Sequence, residues 1–323
     1  MEPFEPNEPP MAPPPPAYVA PAAPAPVGPG RGRDLDVGDL VRTTFRVIGA
    51  NALPFFGVML LFQLLPSAIN LAASAKMNRA MQALGQEPGA GADPSAAMAQ
   101  VFGPLFATLP YFGLAMVAHA ILLPLAFAFV IRGALDTLED RPFTVPAGIQ
   151  AIVARGWLLV VAQLLVGLVV FGATFVGLFL CILPGVAAAV FLGLSFLCVH
   201  PALLAEDIGP VQAMRRSWDL VEGQRVPIFL LMLLLFAVYM VLACGTGAVG
   251  GVLGAAAALS DPSRAQQIAT DPTSPVQLVA AVLNGFVMVF WNTCIQVASA
   301  VVYARLVGLR GELDAGDVAK VFQ

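Results

Sequence analysis

Cys181-Ile182-Leu183-Pro184-Gly185 sits near the middle of a run, residues 156–205, that holds no Asp, Glu, Lys or Arg. As a single helix that run would extend roughly 75 Å at about 1.5 Å per residue, against a hydrocarbon core about 30 Å thick. Pro-Gly is a strong chain punctuator, so the run reads as two spans folded back on each other at this pentapeptide. Four further charge-free runs, 47–75, 94–131, 226–260 and 272–304, each supply the ~20 apolar residues that one crossing needs. The sequence therefore predicts six membrane spans, near 52–74, 105–131, 157–181, 185–205, 227–257 and 276–304. Charge sidedness tests that count. With six spans, 13 of the 16 Lys and Arg lie on one side and 3 on the other, whereas a single crossing by 156–205 divides them 8 and 8. The positive-inside rule selects six spans with both ends cytoplasmic.

Composition points the same way. Apolar residues make up 59% of the 323 and charged residues 11%, with a mean hydropathy of +0.83. A water-soluble domain carries about 25% charged residues, so this chain cannot cover a globule with a wetted surface, and a soluble enzyme is excluded. The net charge of −4 gives no basic footprint for nucleic acid. The expected fold is all-α: a polytopic bundle of six transmembrane helices, with the lipid bilayer as its first partner.

Residues 1–33 read as a separate cytoplasmic tail. They lack an apolar leader-like stretch, carry Glu2, Glu5 and Glu8, and include Pro13 to Pro16. Too little apolar surface is present to offset chain entropy, so disorder or polyproline II is expected, as an inert tail or a PxxP-type docking arm. Residues 34–323 form the membrane domain.

Four segments on the cytoplasmic side share a pattern. Asp34-Leu35-Asp36-Val37-Gly38-Asp39-Leu40 matches Glu312-Leu313-Asp314-Ala315-Gly316-Asp317-Val318, with looser versions at Thr144–Ile149 and Asp207–Val211. Each reads as a helix start, with Asp36 and Asp314 as N-caps and Pro146 and Pro210 in first-turn positions. Val37, Leu40, Val41, Phe45 and Ile48 then form an amphipathic stripe, as do Val211, Met214, Trp218 and Val221, with Gly223 as the stop. Ile149, Ile152 and Val153 give a shorter third. Three or four short interfacial helices are expected: three that each feed a transmembrane hairpin, in a parallel internal repeat, and a fourth at 312–322 without its hairpin.

These residues carry a resemblance. Leu183-Pro184-Gly185, then Pro201-Ala202-Leu203-Leu204-Ala205-Glu206-Asp207-Ile208-Gly209-Pro210, then Ala213-Met214-Arg215-Arg216-Ser217-Trp218 resembles a bacterial integral membrane superfamily. That superfamily includes the membrane domain of some glycerophosphodiester phosphodiesterases and stand-alone six-span proteins. Tyr303-Ala304-Arg305-Leu306 and Phe322 are similar to its closing motif. The resemblance covers roughly residues 36–323, is strongest at 183–223, and implies a six-helix domain of the inner (cytoplasmic) membrane of a bacterial cell, without a particular activity. No phosphodiesterase barrel is expected within these residues, since no stretch of about 250 soluble ones is available for it.

Candidate chemistry is sparse. His119 lies alone in the second span and His200 at the cytoplasmic end of the fourth, neither beside a carboxylate at helical spacing. Cys181, Cys198, Cys244 and Cys294 show no ligand spacing and read as core residues. No cofactor or metal is called for, and no catalytic residue stands out. Asn284, Asn292, Gln296, Ser299 and Tyr303 share one face of the sixth span. They serve either as interhelical hydrogen-bonding groups or, with Gln63, Asn70 and Gln163, as the lining of a polar cavity. Gly247/Gly251 and Gly250/Gly254 permit close helix approach within the chain or in a homo-oligomer. Pro66, Pro110 and Pro124 predict kinks. Arg215, Arg216, Trp218 and Arg225 form either an internally paired face or a docking surface for anionic headgroups or a protein partner.

The expected function is non-catalytic: membrane scaffolding, assembly or envelope maintenance, with an uncoupled transporter or channel for a small or lipid-like solute as the alternative. Spans free of Asp, Glu, Lys and Arg argue against ion-coupled transport. Alkaline-phosphatase and fluorescent-protein fusions at residue 323 test the topology. The fluorescent fusion is expected to be active and the phosphatase inactive, and the reverse result would overturn the six-span count.

Overall fold

The computed structural model describes residues 35–84, 94–180, 182–260 and 274–310. The chain divides into Met1–Arg33 and Asp34–Gln323, and every described helix belongs to the second unit. The expectations for the proline-rich tail, for Cys181 and for the terminal repeat copy at 312–318 lie outside the described residues.

The elements are helices throughout: α1 (Val37–Ala50), α2 (Ala52–Leu84), α3 (Pro94–Leu138), α4 (Val145–Leu180), α5 (Ile182–Ser195), α6 (Val199–Ala205), α7 (Pro210–Val221), α8 (Arg225–Ser260) and α9 (Pro275–Arg310). Among the described residues six segments are long and apolar enough to cross a bilayer: Ala52–Met77, Phe106–Leu138, Val145–Phe179, Ile182–Ala205, Arg225–Val252 and Pro275–Leu309. The chain is a multi-pass helical membrane protein.

Local chemistry explains the ends. The Asp36 side chain accepts a 2.8 Å hydrogen bond from the Gly38 amide, the N-cap read from the sequence. Gly223 stands just past α7 with φ +83°, a left-handed backbone that glycine adopts without strain.

Other boundaries differ from expectation. The short third interfacial helix does not exist as a separate element, because α4 runs unbroken from Val145 to Leu180. Nothing between Ile149 and Trp157 breaks a helix, so the amphipathic start simply continues into the span. The fourth span, expected to be continuous, is interrupted at Phe196–Cys198 between α5 and α6. Pro201 is the cause: it cannot donate to the Leu197 carbonyl four residues back, and its ring crowds that group. Helix continues through Pro66, Pro110 and Pro124.

Packing is uneven along the bundle. The end that carries Asp39, Asp136, Glu206, Arg216 and Arg305 is closely packed, with Phe55, Met59, Phe129, Ile131, Leu203, Leu220, Ile228 and Leu231 almost wholly buried. Helix α9 is its hub and touches α1, α2, α3, α6, α7 and α8. The stretch Val297–Val302 is buried on every side, and Ala298, Ser299 and Ala300 let neighbouring backbones approach. Toward the other end large apolar side chains turn outward, as with Phe179, Leu183 and Leu259. Hydrocarbon is the medium such a surface fits.

The α4–α5 hairpin rests on two glycines. A Cβ on Gly177 would lie 2.6 Å from the Gly185 Cα, and one on Gly185 would lie 3.0 Å from the Leu178 amide nitrogen. Those obstacles are backbone and cannot rotate away. Gly177→Leu is expected to destabilise the protein by at least about 1–3 kcal/mol, read as a lower melting temperature in detergent. Gly193→Leu, where a Cβ meets nothing within 4 Å, serves as the tolerated control.

Candidate functional site

Two polar groupings emerge, and they differ in kind. The first ties helices together at the packed end. Glu206, just past α6, accepts from Arg216 Nε on α7 at 2.9 Å (Oε1) and 3.0 Å (Oε2). The same carboxylate accepts a 2.8 Å bond from the Tyr303 hydroxyl of α9. Arg305 of α9 pairs with Asp39 of α1 at 2.7 Å, and Asn51 Nδ2 donates to Thr137 Oγ1 at 2.8 Å. Arg155 of α4 donates to the Leu203 carbonyl at 2.9 Å and pairs with Asp207. Ser217 mends the break in the fourth span. Its buried hydroxyl accepts from the Cys198 amide at 3.1 Å and donates to the Ser195 carbonyl at 2.8 Å. Two backbone groups freed by the interruption are thus satisfied inside the membrane domain.

The second grouping lines a cavity of about 720 Å³ between α3, α4 and α9. Its walls are apolar: Met116, Leu123, Pro124 and Phe127 from α3, with Leu164, Leu168 and Phe171 from α4. His119, Gln163, Asn292 and Gln296 are its polar lining residues, and among the described residues no Asp, Glu, Lys or Arg lines it. Met116, Leu168 and Phe171 are 72%, 68% and 68% exposed, so the cavity opens sideways where the helices diverge. Gln296 lies at its inner wall, only 6% exposed, and its Oε1 has no hydrogen-bond partner among the described residues. The four side chains make no hydrogen bonds to one another among the described residues.

The polar face expected on the sixth span thus meets several fates. Asn292 and Gln296 line the cavity with His119 and Gln163. Ser299 donates to the Gln296 carbonyl of its own helix at 2.8 Å, Tyr303 serves Glu206, and Asn284 is exposed. Gln63 and Asn70 are not among the lining residues. His200 is half-buried, 5.7 Å from the Phe127 ring, with Nε2 unpartnered among the described residues. Cys198 and Cys294 are buried and Cys244 is exposed. Among the described residues no cluster of three metal-ligating side chains occurs.

The α7 residues are equally divided. Arg216 is held by Glu206. Trp218 meets Phe191 edge-on at 5.6 Å and lies 6.1 Å from Phe196. The Arg225 guanidinium stands 4.7 Å from the Phe191 ring centre and 5.2 Å from that of Trp218. Arg215 is exposed beside a shallow groove of about 370 Å³ that includes Val211, Met214 and Trp218.

Sequence reading named Gln163 on α4 but missed the rest of that wall. Its signal was nonetheless present: Gln163, Gly167 and Phe171 recur at i, i+4 and i+8 on one face. A Cβ on Gly167 would meet nothing within 4 Å, so this glycine leaves room in the cavity rather than permitting a close contact.

With this geometry established, comparison with family models, curated proteins and solved structures finds no match to the chain.

The tie around Glu206 is open to test. Tyr303→Phe is expected to lower stability by about 1–2 kcal/mol, and Glu206→Gln by somewhat more because the charge-assisted bonds from Arg216 are weakened too. Unfolding in detergent, combined in a double-mutant cycle, should show coupling of these two side chains.

Proposed function

We propose that this chain is a non-catalytic membrane protein that takes a lipid-like solute from the bilayer into the α3–α4–α9 cavity and exchanges it without ion coupling. One observation carries the reading: four uncharged polar side chains converge on an apolar cavity that opens toward the hydrocarbon. An apolar hollow with a few convergent polar groups is the general form of a small-molecule site, at about 300–1,000 Å³. Its opening through Met116 and Phe171 supports entry from lipid rather than from water. Among the described residues the lining holds no Asp, Glu, Lys or Arg with which an ion flux could be coupled.

A second reading, scaffolding at the cytoplasmic face, draws on a different feature. Helix α7 presents Val211 and Arg215 outward, and Arg225 lies on two aromatic rings with no carboxylate partner among the described residues. That chemistry suits an anionic headgroup, with α1 and α7 lying in the interface. The placement of α1 before the α2–α3 hairpin and α7 before α8–α9 supports a parallel repeat with the packed end inside the cell. Membership of the superfamily that residues 183–223 resemble belongs to the same proposal, supported by the meeting of Glu206, Arg216 and Tyr303 in one corner.

Gly167→Leu fills the cavity without a backbone clash. Native mass spectrometry of the protein released from nanodiscs is expected to show a retained lipid adduct on the wild type. The variant should lose most of it at an unchanged melting temperature. Equal adducts on both proteins would sink the cavity reading.

A further inference from the structure

We infer that the α3–α4–α9 cavity holds the polar head of an uncharged amphiphile at the mid-depth of the bilayer, in preference to a charged head or the acyl tail of a phospholipid. The inference rests on the cavity reading above and adds the class of ligand and the depth of its head. Depth is the first reason. Asn292 is the central residue of the span Pro275–Leu309, Gln163 stands next to the centre of Val145–Phe179, and His119 lies within one turn of the centre of Phe106–Leu138. At about 1.5 Å per residue, Asn292 is roughly 25 Å along its helix from either end. Three helices thus bring polar side chains to the centre of the hydrocarbon, where such groups are costly unless they serve a purpose.

Availability is the second reason. His119, Gln163 and Asn292 are half-buried, and none of them makes a hydrogen bond or ion pair among the described residues. Their polar atoms reach the accessible surface, whereas Gln296 Oε1 is enclosed. Amides that join helices use up their hydrogen-bonding groups on a neighbouring helix, and these do not. In a cavity open to hydrocarbon such groups need a partner, and an acyl tail supplies none. The carbonyl, hydroxyl or amide of an uncharged head does, because the side-chain amides of Gln163 and Asn292 both donate and accept.

Charge is the third. A phosphate, carboxylate or ammonium taken to that depth needs a counter-charge, and among the described residues no Asp, Glu, Lys or Arg lines the cavity. A phospholipid head therefore stays at the interface, roughly 15 Å from the midplane of a core about 30 Å thick. An uncharged head makes that descent at lower cost and exchanges its water for the three side chains. The apolar walls, Leu123 and Phe127 among them, fit the chain attached to it.

Photoreactive probes with one 16-carbon chain and a diazirine beside the head test this in nanodiscs holding the full chain. Their heads are an alcohol, a primary amide, a sulfonate and a quaternary ammonium. A fifth probe, a phosphatidylcholine, carries its diazirine at the end of an acyl chain. Both uncharged heads are expected to label the α3, α4 and α9 peptides around His119, Gln163 and Asn292, at least roughly fivefold above either charged head. Asn292→Leu and, separately, Gln163→Leu should lower that labelling roughly fivefold without lowering the melting temperature of ligand-free protein. Equal labelling by a charged head, or cavity labelling by the phosphatidylcholine chain end alone, would overturn the inference and leave the cavity reading standing. Labelling that survives both substitutions would also overturn it, as would a melting temperature lowered by both, which would assign these amides to helix association. The comparison of heads on the wild type decides the matter even where a variant fails to fold. Failure of all five probes to label those peptides above the outer surfaces of α2 and α8 would overturn the inference and the cavity reading together.

Discussion

Lipid tails surround a helix with as apolar an environment as another helix does, so burial of apolar surface gives six spans little reason to associate. What holds them must be close van der Waals packing and polar groups that hydrocarbon cannot satisfy. Both devices concentrate at one end of this bundle. Ala298, Ser299 and Ala300 let neighbours approach α9. Glu206 draws α7 and α9 to the end of α6 through Arg216 and Tyr303. Ser217 completes the set by meeting two backbone groups that Pro201 and the interruption of the fourth span would otherwise leave open.

The same logic explains why the opposite half is loose. Among the described residues few polar ties reach it, its side chains are large and outward-facing, and lipid is an adequate partner for them. The cavity forms where the close packing of one half gives way to the divergence of the other. Polar side chains at that junction sit beyond the ties of the packed end. Gln296 shows the consequence, being nine-tenths buried yet lacking a donor among the described residues. Retaining such a group works against stability, the usual direction of a trade between a firm fold and a working site.

Much of the architecture was legible in the linear chain. Charge-free length set the number of crossings, Asp36 and Gly223 marked helix ends correctly, and the reversal near residue 181 followed from a run too long for one crossing. The individual residues misled in instructive ways. Pro184-Gly185 read as the turn itself, but Ile182 already begins α5 and Gly185 instead admits the backbone of α4 at Gly177. The stripes read on α1 and α7 also omitted half of the packing. Thr43 and Thr44 on α1, and Ala213 and Ser217 on α7, face the protein, while Phe45 and Val211 turn outward. In lipid a small or weakly polar face can be the packed one, so hydrophobicity ceases to mark the inside.

Composition and periodicity alone determined that this is an all-helical protein of the bilayer, because each crossing must satisfy its own backbone and needs a fixed apolar length. They also placed Asn292, Gln296, Ser299 and Tyr303 on one helix and His119 and Gln163 on others. Only the tertiary structure decided what each does: two of the four turn to a cavity, one to its own backbone, one to a carboxylate nearly a hundred positions away in the chain. The reason is that a side chain's role in a bundle depends on which neighbour the helix faces at that depth. Register and splay between helices set that, and no local pattern encodes either.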